Sequence, residues 1–487
     1  MKMEEKVGWK KVQIGNFIDF VGGGTPDKKT SDYWNGTIKW ASVKDVKNKY
    51  LYETQDMITE LGLKNSASQL AEKGELILVT RISPGKCVIA KDDIAINQDL
   101  KIVRLKSDVS TNLLYYFFTA TENEFVKKSS GTTVKGIRLE EIRGIEIDLP
   151  PLPEQRAIVS RIEQLFSELD NGIANLRLAQ EQLKVYRQAV LKKAFEGELT
   201  RKWREQQTDL PDARDLLEQI RKEREEAAKV SGKKVKPVKP LTEDEIAELP
   251  GLPEGWGWVR LRDVTYKIGD VDHKMPKEYP NGIPYVATKD FTDELKIDFS
   301  TSKTISKEDY VLLSAKIKPE KGDIIFPRYG TIGKNILIDF DKEFLVSYSC
   351  AIIKNITKLM DVKYVYQYLL SPVIKDEIRK HTRETTQANV GIASIEIFVF
   401  PLCSLPEQHA IVQEIETRLS VCDKMTQDID EALEKAEALR QSILKKAFEG
   451  KLLSEKELAE VRSAEDWEPA EVLLERIRAE RAGNGKK

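Results

Sequence analysis

Apolar and small residues recur every seven positions along two stretches of the chain. In the first they fall at Ile158, Leu165, Gly172, Ala179 and Tyr186, interleaved with Ile162, Leu169, Leu176, Leu183 and Val190. In the second they fall at Ile415, Cys422, Ile429, Ala436 and Ile443, interleaved with Ile411, Met425, Ala432 and Leu439, and Arg418 interrupts the pattern once. Alternating spacings of four and three over about five heptads predict a coiled-coil seam on two long helices. Pro153 and Pro406 stand where a helix start tolerates proline, and Gly197 and Gly450 where a helix stops. About 43 helical residues would span roughly 65 Å. Gly172, Ala179, Ala432 and Ala436 permit close approach, and the chain between the helices is long enough to turn back, so the expected pairing is antiparallel.

Elsewhere the period shortens. β-rich runs at Leu76–Thr80, Lys101–Leu105, Ile324–Pro327 and Ala351–Lys354 alternate with Gly, Pro and Asn turn signals, and aromatic-rich helical stretches cover Thr111–Phe125 and Asp361–Arg379. The chain also repeats itself. Leu152-Pro153-Glu154-Gln155 returns as Leu405-Pro406-Glu407-Gln408, and the run from Arg187 to Gly197 returns from Arg440 to Gly450. The offsets agree (405 − 152 = 253; 440 − 187 = 253), so neither helix has gained or lost a residue. A tolerant loop would drift in length, whereas a rod that sets a distance would not. The expected organisation is a globule at 1–150, a helix at 151–200, a charged helix and Lys/Pro linker at 201–253, a second globule at 254–403, a second helix at 404–453 and a charged helical tail at 454–487. The expected fold class is α+β, with two mixed α/β domains separated by a long antiparallel two-helix coiled coil and a pseudo-twofold internal repeat.

A length of 487 residues fits two to four domains. The formal charge of −2 argues against binding to nucleic acid by bulk charge alone and leaves room for local basic surfaces. Four cysteines without a Cys-x-x-Cys pair, and only three histidines, argue against zinc. With no signal-like apolar run and no stretch near the roughly 18 apolar residues of a membrane span, a cytoplasmic protein without membrane association is expected. Val21-Gly22-Gly23-Gly24-Thr25-Pro26 and Gly330-Thr331-Ile332-Gly333-Lys334 lack phosphate-loop spacing. No Asn-Pro-Pro-aromatic run is present of the kind that holds a flipped base for methylation. No catalytic residue, metal ligand or cofactor is therefore expected in this chain.

Binding candidates come in matching pairs. After matching strands stand Arg81, Ser83 and Lys86 in one globule, and Arg328, Tyr329, Thr331 and Lys334 in the other. Arg suits bidentate reading of guanine, and Lys suits phosphate. A second pair of loops carries Thr132, Thr133, Lys135 and Arg138, against Arg383, Thr385, Thr386, Gln387 and Asn389. Gln and Asn can pair with adenine, and Thr methyls can touch thymine. Trp34, Trp40 and Tyr33 read as core.

Gly22-Gly23-Gly24-Thr25-Pro26, Tyr33-Trp34-Asn35-Gly36, the Lys-Gly-Asp/Glu strand, Asn97-Gln98-Asp99 and the twice-repeated helix from Pro-Leu-Pro-Glu-Gln to Leu-Lys-Lys-Ala-Phe-Glu-Gly together resemble the specificity subunit of type I restriction–modification systems. The resemblance implies two target-recognition domains, each reading half of a split asymmetric site on double-stranded DNA, and a coil that sets the gap. It adds Thr25 to the candidate DNA contacts. It further implies two methyltransferase subunits and motor–nuclease subunits as partners, which would carry S-adenosylmethionine, ATP and Mg2+. The second domain departs from the pattern, with Pro280 for Trp34, Ser347-Tyr348-Ser349 near the place of Asn97-Gln98-Asp99, and no Gly-Gly-Gly-Thr-Pro run. Two other readings remain: a self-contained DNA methyltransferase or nuclease, against which the missing motifs argue, and a non-DNA coiled-coil scaffold, against which the paired loops argue.

Overall fold

The computed structural model describes residues 6–105, 109–131, 135–230, 232, 239–383 and 389–484. The chain divides into two compact units, Met1–Arg177 with Asp430–Lys487, and Leu178–Ile429.

In the first unit a five-stranded sheet runs in the order Ile18–Gly22, Leu100–Leu105, Leu76–Val79, Cys87–Ala90, Tyr50–Leu51. A four-stranded sheet runs Asp56–Ile58, Trp34–Ala41, Ile94–Ile96, Gln69–Ala71, and a ribbon pairs Lys10–Gln13 with Glu146–Leu149. The Leu76–Val79 strand is apolar throughout because both its faces are buried. Leu76 and Leu78 face the aromatic helix Thr111–Lys128, with Phe118 and Phe125, while Ile77 and Val79 join Ile94 and Ile96. Trp40 is buried edge-on against Trp34 with ring centroids 5.2 Å apart.

The second unit repeats the plan. Its four-stranded sheet runs Thr265–Gly269, Cys350–Asn355, Ile324–Pro327, Ile336–Leu337. A three-stranded sheet runs Lys303–Ile305, Ile283–Val286, Leu345–Val346, and Gly257–Arg260 pairs with Val399–Leu402. Local chemistry explains one repeated motif. Asn35 and Asn281 adopt φ of 57° and 58°, a left-handed conformation that Asn tolerates. A Cβ on the following Gly36 or Gly282 would lie 2.4 or 2.1 Å from a strand carbonyl, so only glycine fits.

Leu152–Phe195 and Leu405–Phe448 are both helices of 44 residues. Each ends in the same glycine cap. Gly197 and Gly450 take φ of 73° and 74°, and Glu198 and Lys451 donate to the carbonyls of Lys193 and Lys446 at 2.9 and 2.8 Å. Each begins with the same clamp. Glu154 is fully buried and accepts from Trp9 at 2.7 Å, Arg462 at 3.0 Å and Trp467 at 3.3 Å. Glu407 accepts from Trp256 and Arg204, both at 2.8 Å, and from Thr200 at 2.9 Å. Gln155 and Gln408 each accept at 3.0 Å from the backbone N–H of the residue that caps the start of the unit's aromatic helix, Ser110 before Thr111–Lys128 and Asp361 before Val362–Leu370. The Glu-Gln pair therefore repeats because it fastens a helix start to a globule.

Each unit's core also holds the end of the other long helix. Ile158, Val159 and Ile162 share a cluster with Ile443, Leu444 and Ala447 in the first unit. Ile411, Val412 and Ile415 share one with Val190, Leu191, Ala194 and Phe195 in the second. The charged segments that follow are amphipathic and packed. Ala213, Leu216 and Ile220 are buried in the second unit, and Leu473, Leu474 and Ile477 in the first.

The heptad reading needs one correction. Ile158, Ile162, Val190, Ile411, Ile415, Ile429 and Ile443 are buried, and Leu165, Leu169, Leu176 and Leu183 are half-buried. Met425 and Leu439 are exposed, as are their equivalents Gly172 and Tyr186. One partner helix covers one stripe, and a period of 3.6 drifts from a strict repeat of 3.5, so one edge of the predicted seam turns outward.

Candidate nucleic-acid interface

In the first unit four segments converge at the end of the Leu76–Val79 strand. Thr80 donates from its backbone to the Asp99 carbonyl at 2.9 Å and accepts there from Ile137 at 2.9 Å. Ser130 and Gly136 bond reciprocally at 2.9 Å, and Arg81 bridges to Gly136. This brings the Arg81 loop against the Lys135 loop, two candidates far apart in sequence. Arg81, with half its side chain exposed, reaches Asp99 at 3.1 Å. Thr25 is half-buried and donates from its hydroxyl to Gln98. Ser83 is half-buried, and Lys86, Lys135 and Arg138 are exposed. Among the described residues these three cations form no ion pair. Thr132 and Thr133 lie outside the described residues.

Gln98 and Lys101 were named only within a motif and a strand, not as candidate contacts. Lys101 donates to the Gln98 carbonyl at 3.1 Å. Burial lowers its pKa, as does the charge of Arg81, while Asp99 opposes them. The β-register was the available signal, because Lys101 pairs with Gly22 beside the Gly-rich run.

The second unit brings its candidate segments together in the same way. Val390 donates to the Arg328 carbonyl at 3.0 Å, and Tyr329 bridges to Asn389. Asn389 lies half-buried in the short strand that pairs with Thr382–Arg383. Thr331 is exposed, and Tyr329 lies beneath the Arg328 guanidinium at 5.4 Å. Thr385, Thr386 and Gln387 lie outside the described residues.

Two of the candidates are engaged by acidic neighbours. Arg328 is only 6% exposed. Its guanidinium pairs with Asp270 and donates to the carbonyls of Val390 at 3.0 Å and Tyr348 at 3.3 Å. A group so enclosed braces the sheet. Lys334 is held by Asp293 at 2.5 Å, which lowers the Asp293 pKa. Asp270 also accepts from Lys316 at 2.8 Å and contacts His273 at 3.3 Å. Burial raises its pKa, but Lys316 and Arg328 outweigh this and hold it below the usual carboxylate value.

The two arginines do not occupy equivalent places. Thr80 donates from its backbone to the Asp99 carbonyl and accepts from Ile137, and in the second unit it is Arg328 that donates to the Ser349 carbonyl and accepts from Val390. The bridge of Arg81 to Gly136 is matched by that of Tyr329 to Asn389. The strand register agrees, since Val79 pairs with Leu100 and Pro327 with Cys350. Arg328 therefore stands at the buried place of Thr80, one position before the exposed place of Arg81.

Among the described residues no group of three or more His, Cys, Asp or Glu is placed to hold a metal ion. No helix there is long and apolar enough to cross a membrane.

The family model of the type I restriction modification DNA specificity domain matches residues 6–176 and 253–435. The chain is 27% identical over 391 residues to the type I restriction enzyme EcoDI specificity subunit of Escherichia coli, covering 78% of each chain. It is 25% identical over 420 residues to the MjaIX specificity subunit of Methanocaldococcus jannaschii, covering 84% of this chain and 86% of that one. Its fold is similar to that of a chain from a type I R-M system solved for complex assembly and conformational transition. The TM-score is 0.62 at 18% identity, over 93% of this chain and all of that one. The crystal structure of the HsdS subunit from Thermoanaerobacter tengcongensis gives a TM-score of 0.52 at 17% identity, over 91% and 97%.

Proposed function

The chain belongs to the family of type I restriction modification DNA specificity domains, and we propose that it is the non-catalytic DNA-reading subunit of such a system. Each globule reads one half of a split site on double-stranded DNA. The two long helices pair antiparallel and set the gap. The pairing of Arg187 with Asp423 and of Arg440 with Asp170 carries this reading. Both pairs join the two helices, and a shift of 253 residues converts one pair into the other (440 − 187 = 253; 423 − 170 = 253). That is the arrangement an antiparallel coil with a pseudo-twofold axis requires. The shared clusters at each helix start and end agree with it.

Different half-sites follow from the different side chains and the different cation pairing at the two loop clusters. Catalysis belongs to partners: two methyltransferase subunits using S-adenosylmethionine, and motor–nuclease subunits using ATP and Mg2+. Leu178 and Val185, 57% and 70% exposed and one heptad apart, form an apolar stripe suited to docking a partner helix.

Removing one heptad from each helix, residues 172–178 and 425–431, tests the reading. Two helical turns are about 10.5 Å, or roughly three base pairs of DNA. The recognised gap is expected to change, or methylation to cease, with both half-sites unaltered. A changed half-site beside an unchanged gap contradicts the ruler.

A further inference from the structure

Ile82 holds a conformation that its residue type resists. Its φ is +74°, in the left-handed region where a β-branched side chain is a genuine outlier. Ser83 donates from its backbone to the Arg81 carbonyl at 2.9 Å. Arg81-Ile82-Ser83 is thus a three-residue turn of the rare, strained kind with positive central φ. The Ile82 N–H donates to the Lys135 carbonyl at 2.8 Å, and the Arg81–Gly136 bridge holds the turn from the other side. The side chain receives little from the fold, being 57% exposed. In the second unit the matching loop places its positive φ of 68° on Gly330. A glycine solution to this turn therefore exists and is not used at Ile82. Strain of this kind persists where the surroundings enforce it and where function uses it.

The surroundings say what the use is. Lys86, Lys135 and Arg138 are exposed around the turn, and among the described residues none forms an ion pair. Unpaired cations of this kind hold phosphates. An aliphatic side chain standing among them has no hydrogen bond to offer. On a base edge in the major groove its chemistry matches the C5-methyl of thymine.

We propose that Ile82 is a specificity-determining residue of the first unit, presented by its strained turn to a thymine methyl in the half-site which that unit reads. The proposal rests on the DNA-reading function above. The test uses the full chain assembled with its methyltransferase subunits, as wild type and as Ile82→Gly. Duplexes carry the recognised motif with each thymine replaced in turn by deoxyuridine, which lacks the methyl. One replacement is expected to weaken wild-type binding about fourfold, the worth of one buried methyl-sized group. That replacement should leave Ile82→Gly unaffected, while the variant melts no lower than wild type because glycine relieves the turn. A wild type indifferent to every replacement, or a variant that responds as wild type does, overturns the proposal. A wild-type complex that prefers no split motif over scrambled DNA overturns the DNA-reading function itself, a result seen before any deoxyuridine duplex is used.

Discussion

Arg187 donates to Asp423 at 2.5 Å, and both lie on the long helices. Their counterparts Arg440 and Asp170 are paired as well. Both aspartates are largely exposed, so the pairs contribute to register more than to stability. Arg187→Asp should cost at most about 1 kcal/mol, and less at high salt. Adding Asp423→Arg should restore the loss. Urea melts of the two variants and of the double variant measure the coupling, and simple additivity would count against the register.

Glu407 is a different case, because it is buried with Arg204, Trp256 and Thr200 around it. Glu407→Ala leaves an arginine without its carboxylate and should destabilise the second unit by roughly 3–5 kcal/mol. Glu154→Ala should do the same to the first unit through Arg462. Chemical denaturation followed by tryptophan fluorescence reads both, since Trp256 and Trp9 are bonded to these carboxylates.

Arg81 and Arg328 should separate recognition from stability. Arg328→Ala removes one of the two cations that hold the buried Asp270, leaving Lys316, and should lower the melting temperature at a cost of roughly 1.5–3 kcal/mol. Arg81→Ala removes a half-exposed group and should change stability by less than about 1 kcal/mol, while weakening DNA binding by the assembled complex. Thermal melts and electrophoretic shifts on both variants check this. Equal melting losses would contradict it.

Asp323 gives the fold a pH dependence. Burial pushes its carboxyl up to about 6, against the pull of Lys354 at 2.5 Å. The unfolded chain titrates near about 3.9. Between those values the folded state keeps a proton that the unfolded state releases. The contribution to stability is full below the lower value and is lost as pH rises through the upper one. Asp323→Asn removes it, so the variant should gain on wild type as pH rises from about 4 to about 7. Urea midpoints across that range measure the difference, and parallel curves would contradict the assignment.

Much of this was legible in the sequence where periodicity is local. The heptads gave the long helices, and the alternating apolar runs gave strands such as Leu76–Val79. What escaped depends on distant partners. Nothing near Arg328 announces that Asp270, 58 residues away, encloses it, because the first copy has a glycine there. Glu154 was visible as part of a motif, yet its partners Trp9, Arg462 and Trp467 come from both ends of the chain. Ile82 passed unnoticed because sequence favours ordinary backbone at a β-branched residue. Met425 and Leu439 were misplaced because heptad counting assumes a seam that stays centred on one partner.

The central claim is that this chain supplies the sequence specificity of a methylating complex through two half-sites. Mapping modified adenines across the source genome, with and without the gene, tests it most directly. The account predicts that deletion erases one split, asymmetric motif and leaves every other modified motif in place. A methylated genome whose map is unchanged by the deletion would contradict it.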